Sequence, residues 1–254
     1  MAKQDSKVIE QGEIAFVYRP RVGEHSPQDV DDLQRTHILL HPDQEDVYRL
    51  ITIGRKRLPE HEGGEAERNW AYVDLVRKDA ESLEKELREQ RYQTRTRGER
   101  VLPAVRPAGE GRYALIMRGP STRLHYALKR PEEMGEVQEQ LGIKKAGSMV
   151  VSVKNPEASG PPGTGLEPEQ TADLPQKLQD RFRGRRFIPA EPPSLLNYQG
   201  VELILIGSGD EIPEELKEQF AEEEAEAADL PALEELKLDS PDHPTKPLFT
   251  GEWE

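Results

Sequence analysis

The sequence has no cysteine among its 254 residues, and only 34% of them are hydrophobic and 6% aromatic. Without cysteine there is no disulfide framework, thiolate zinc site, iron–sulfur ligation or Cys nucleophile. No apolar run approaches the ~18 residues that a membrane-spanning helix needs. The polar start, Met1 to Gln11, lacks the apolar stretch of a secretory signal, so the expected compartment is the cytoplasm. Gly (20) and Pro (21) are far below collagen-like or low-complexity levels.

Charge is plentiful and unevenly placed. Charged residues make up 33% of the chain, and the formal net charge is −14. Residues 201–254 hold 17 acids and 3 bases, whereas residues 1–200 hold 32 of each. Inside that neutral part, Arg88 to Arg130 carries 11 bases and 3 acids, and Lys177 to Phe187 carries five bases and one acid. The chain is thus a neutral body with two Arg-rich segments, followed by an acidic tail.

Alternating or β-branched runs predict strands at residues 14–18, 36–41, 47–53, 70–76, 113–117, 124–128, 149–153 and 201–206. Asp79 caps a predicted helix to about Arg91, supported by Glu81–Lys85 and Glu84–Arg88 spacings. Pro131 opens another, with Gly142 as its stop. Leu174, Leu178 and Phe182 mark a third. The expected fold is α+β: antiparallel sheet or sheets with a few short helices packed on one side, then an acidic helical or disordered tail. The expected divisions are a flexible N-terminus (1–12), one domain (13–208) and the tail (209–254). The expected core runs through Phe16, Ile38, Leu40, Ile51, Val73, Leu115, Leu128, Val151, Leu203 and Leu205. A faint echo links Gly12-Glu13 and the strands after it to Gly109-Glu110 and the strands after that; hairpins built by the same rules account for it.

Motifs with chemistry are sparse. Gly160-Pro161-Pro162-Gly163-Thr164-Gly165 resembles the opening of the phosphate-binding loop of P-loop ATPases, but Leu166 and Glu167 stand where that loop needs Lys and Ser or Thr. His37-Ile38-Leu39 and His125-Tyr126-Ala127 are similar to the paired His strands of two-histidine phosphoesterases, without the hydroxyl that binds phosphate. Alternation places both histidines on the more polar strand faces, where exposure is expected. His37 and His41 share a face but lie roughly 13 Å apart, too far to hold one metal ion. Neither a metal nor a cofactor is expected. Ser208, between Gly207 and Gly209, leaves a buried strand at a place where ligands bind in α/β sheets, and Lys154 leaves another.

The Arg segments carry the functional expectation. Arg95, Arg97, Arg100 and Arg106 fall in a connection, and Arg183, Arg185 and Arg186 lie beside Phe182 and Phe187. Arg forks recognise phosphate and carboxylate in a bidentate manner. The reading is a binding or regulatory protein with an Arg-lined site for an anionic small molecule or protein partner. The acidic tail, with apolar anchors up to Trp253, would oppose that site, so its deletion is expected to raise affinity for a polyanion. Nucleic acid is disfavoured, and no membrane partner is expected. Alternatives are a hydrolase of phosphorylated substrates using His37, His125 and Lys154, and a structural interaction protein.

Overall fold

The computed structural model describes residues 6–96, 98–158, 165–226, 231–238 and 243–253. Eight strands run through it: β1 (Ser6–Pro20), β2 (Leu33–Pro42), β3 (Tyr48–Ile53), β4 (Arg68–Arg77), β5 (Arg106–Arg118), β6 (Ser121–Arg130), β7 (Ala146–Lys154) and β8 (Glu202–Ser208). Each overlaps one of the segments expected to form a strand, with β3 and β8 starting one residue later than the sequence pattern suggests.

The pairing overturns the α+β expectation. Neighbours follow the order β1-β2-β3-β4-β8-β7-β6-β5, and β5 returns to β1. Every pair is antiparallel. The result is a closed eight-stranded barrel, not a sheet with helices against one side. Closure satisfies the backbone groups that an open sheet leaves at its edges, and side-chain alternation alone does not report which edges meet. The chain makes two four-stranded meanders that join at β1–β5 and β4–β8.

Alternation sorts inside from outside. Ile14, Phe16 and Tyr18 of β1 face the interior with Ile38, Leu40, Ile51, Val73, Tyr113, Leu115 and Val151. All ten residues of the expected core lie in this cluster and are at most 3% exposed. Truncating Leu205 to Ala is expected to cost about 2–5 kcal/mol in denaturant unfolding; a loss under about 0.5 kcal/mol, the range of surface substitutions, would show that β8 does not bury it.

Gly12 and Gly111 stand at matching corners. A Cβ on Gly12 would lie 2.2 Å from the His41 carbonyl oxygen, and one on Gly111 would lie 2.0 Å from that of Ala127. Matching these glycines aligns Val17 with Ile116. Val17 faces His37, whereas Ile116 faces Arg123 and His125 faces Ala114. The echoing histidines are therefore two residues out of step. The echo marks strands built alike, not two copies of one site.

Helices cover the outer wall. Asp79 caps α1 (Ala80–Leu87) by accepting from the Ser82 backbone N–H at 2.8 Å. The helix stops before Arg91, because Arg19 of the barrel donates to the carbonyls of Glu86 (2.7 Å), Arg88 (3.3 Å) and Pro103 (2.8 Å). Arg19 thus takes the Glu86 carbonyl and the Val105 backbone N–H takes that of Leu87 (2.9 Å), both C-terminal acceptors of the helix, and the chain turns into a ribbon, Gln90–Thr94 against Gly98–Leu102. Gly142, at φ 69°, ends α2 (Glu136–Leu141) as expected. A short α3 (Gln176–Gln179) follows β7. The acidic segment adds α4 (Glu214–Glu226), α5 (Pro231–Glu235) and α6 (Lys246–Thr250). Ile212, Leu216 and Phe220 pack on Ala114 and Ile116. Leu233, Leu236, Leu238 and Leu248 join Ala15, Val17, Leu39 and Leu50 under α1.

Different segments close the two ends. Where β1 finishes, Leu58, Val137, Leu141 and Trp253 complete the core, with the Trp253 ring edge-on to Tyr18 at 5.5 Å. Where β1 begins, Leu174, Leu178, Phe182, Leu195 and Leu196 do so. There Arg49, fully buried, donates to both Glu10 carboxylate oxygens (2.6 and 3.0 Å) and to Asn197 Oδ1 (2.7 Å). This ties the closing segment to the barrel interior.

Candidate functional site

The second Arg segment lies where β1 begins. Phe182, fully buried in the core, anchors it. After the 3₁₀ turn Asp180–Phe182, Arg183 takes a left-handed conformation (φ 47°, ψ 42°) and Gly184 follows at φ 73°. A non-glycine residue held there carries a conformational cost of about 1–2 kcal/mol. Asn155, at the exit of β7, fixes the continuation: its backbone N–H donates to the Arg186 carbonyl (2.8 Å) and its Nδ2 to that of Arg185 (3.3 Å). Residues Phe187–Pro189 then pair with Ser152–Lys154.

This path leaves an open cleft of ≈ 510 Å³ lined by Arg181, Arg183, Arg185, Ile188 and Glu191. Arg181 pairs with Glu191. Asp180, also at the cleft, accepts from Gln176 Nε2 at 2.8 Å. Arg183 and Arg185 are exposed, and neither pairs with a carboxylate among the described residues. Next to this cleft, Arg186 and Phe187 line a second groove of ≈ 380 Å³ with Trp70, Lys154 and Ile204. The Arg186 guanidinium lies 5.6 Å from the Phe187 ring centre. Glu202 at the base of this groove is buried; it takes the Lys154 ammonium, the Trp70 Nε1–H (3.1 Å) and the Leu166 backbone N–H (3.3 Å).

The first Arg segment is elsewhere. Arg106 opens β5 opposite Tyr18, at the end where β1 finishes. It is buried there and donates to the His25 carbonyl at 2.6 Å. Arg95 sits at the exposed turn of the ribbon, and Arg100 faces Tyr92 across it. Arg97 lies outside the described residues. The two Arg segments are thus at opposite ends of the barrel and do not line one site. The loop residues 160–164 also lie outside the described residues.

His37, His125 and Lys154 belong to β2, β6 and β7 and do not converge. The expectation of exposed histidines is corrected, since both are 4% exposed. They are on the outer wall, but that wall is covered by α1 and α4. Thr52 donates to Asp74 (2.7 Å) and therefore accepts from His37 Nδ1 (2.9 Å). Burial, with Arg19 and Arg35 nearby, pushes the His37 imidazole down to about 3. Burial takes His125 down to about 4 against the attraction of Asp210. Both rings are neutral at pH 7, far from the poise of a general acid or base.

Ser208 and Gly209 border a separate cleft of ≈ 360 Å³ with His61, Lys144 and Tyr126. Ser208 Oγ donates to Asp210 Oδ2 at 3.0 Å. Among the described residues, no group of three or more His, Asp or Glu is placed to hold a metal ion, and no helix is long and apolar enough to cross a membrane. Trp70 and Ile204 come from distant strands, so the sequence points to the groove beside the Arg cleft only through Phe187 next to Arg185 and Arg186 and through Lys154 at its strand exit. Compared with known protein families, curated proteins and solved structures, the chain matches none.

Proposed function

We propose that the protein is a binding protein whose Arg183–Arg185 cleft takes an anionic ligand. The observation that carries this reading is the pair of exposed guanidiniums at an open cleft, with neither engaged by a carboxylate among the described residues. The left-handed Arg183 adds to it. Backbone strain of this kind gathers at ligand clamps, where the surrounding structure holds it in place, and here Phe182 and Asn155 do the holding. The separate positions and neutral rings of His37 and His125 leave the hydrolase alternative without a constellation.

Hydrogen bonds to charged groups contribute about 1.5–3 kcal/mol each. Replacing both Arg183 and Arg185 by Ala is therefore expected to weaken pyrophosphate binding by about tenfold or more, read by isothermal titration at low salt. Both side chains are exposed, so the melting temperature should stay near that of the parent. Equal affinity of parent and double variant would remove the cleft from consideration.

A further inference from the structure

The Arg cleft and the adjoining groove flank one continuous segment, with Arg185 on the first and Arg186 and Phe187 on the second. Their walls differ in character. The groove is mostly apolar and presents two aromatic rings, Trp70 and Phe187, with Ile204. Trp70 is itself braced by Tyr72, 5.1 Å away between ring centres. Its one carboxylate, Glu202, is buried and neutralised by Lys154, so it does not repel an anion at the rim. Phe187 is 37% exposed, one of few large hydrophobic side chains left open among the described residues. Aromatic faces of this kind bind planar rings by stacking.

We infer that the ligand is a nucleoside phosphate, with its base in the Trp70–Phe187 groove and its phosphate on Arg186, Arg185 and Arg183. This rests on the anion-site reading above and names the ligand class for it. A volume of ≈ 380 Å³ is in the range of small-molecule sites. Charge distribution selects a small ligand over a nucleic-acid strand. A strand needs a basic track along which its phosphates release counterions, but the other Arg segment is at the far end of the barrel and the chain carries −14 overall.

The test titrates adenosine monophosphate, adenosine and inorganic phosphate into the full chain, read by calorimetry and by tryptophan fluorescence. Trp253, the second tryptophan, is buried at the opposite end, so a ligand-induced change reports Trp70. Adenosine monophosphate is expected to bind about tenfold or more tighter than phosphate, the increment of one stacked base. Phe187→Ser is expected to abolish that preference while phosphate affinity stays, and Arg183→Ala with Arg185→Ala to lower both. Unchanged melting of Phe187→Ser shows that the fold is intact. If phosphate binds and the nucleotide binds no tighter, or if Phe187→Ser leaves the preference in place, the nucleotide assignment is overturned and the anion site stands. If neither phosphate nor nucleotide binds, both readings fall.

Discussion

Replacing Arg49 by Ala is expected to lower unfolding stability by about 3–5 kcal/mol, the cost of removing one partner of a buried ion pair. The side chain is fully buried inside the barrel, and the Glu10 side chain is 9% exposed. Glu10 accepts two bonds from the guanidinium and a third from the Tyr113 hydroxyl at 2.8 Å. Without Arg49 the carboxylate stays in an apolar interior with only a phenol for company, and Asn197 loses the donor that ties the closing segment to β3. The penalty comes from the stranded charge, not from an intrinsic advantage of the pair. Replacing both partners, Arg49→Met with Glu10→Leu, should therefore cost less than Arg49→Ala alone. Urea unfolding of the three proteins checks this. A double variant at least as damaged as the single one would mean that packing volume, not charge, governs the site.

Neither residue of that pair stands out in the sequence. Arg49 sits in the run Tyr48–Ile53, where alternation with Leu50 suits an outward-facing charge. Glu10 precedes the first clear alternation, yet β1 begins at Ser6 and carries it inside. The same limit explains the fold. All eight barrel strands are legible because alternation is local, and the ten core positions follow from it. Closure is not legible. It depends on β1 meeting β5 and β4 meeting β8, contacts between residues far apart in sequence that leave no mark on either strand's pattern. The expected exposure of the histidines fails for a related reason. Alternation placed them on the polar faces, which is where they are. Exposure depends on what lies over those faces, and α1 and α4 arrive from elsewhere in the chain. At the candidate site the Arg residues are visible as a cluster. Trp70 is not, because it reaches the groove from β4, more than a hundred residues away.

Deleting residues 209–254 is expected to abolish native folding, which changes how the polyanion experiment must be read. The segment is acidic, with 14 acids and 2 bases in residues 210–242, but its apolar anchors are built into the structure. Ile212, Leu216, Phe220, Leu233, Leu236, Leu238, Leu248 and Trp253 are all buried. They cover β5, the β1–β3 wall and the barrel end beside Tyr18. Glu13 of β1 also accepts the Ala232 backbone N–H at 2.7 Å. Full burial of each such side chain contributes about 1.5–3 kcal/mol. Even discounted for a compact unfolded state, the sum rivals the about 5–15 kcal/mol of net stability that ordinary domains possess. Electrostatic masking is a smaller effect. The described ion pairs that join this segment to the barrel run from Asp210 to Arg118 and Arg123, whereas none reaches Arg183 or Arg185. A truncated chain that binds heparin more tightly would thus report unfolded, uncovered Arg residues before it reported a released cleft. The expected result is loss of the near-ultraviolet dichroism of buried aromatic residues, dye binding to exposed apolar walls, and no cooperative melting transition. A truncated protein that melts cooperatively with native dichroism would show that the acidic segment is an accessory. Its effect on anion binding could then be measured directly by the deletion.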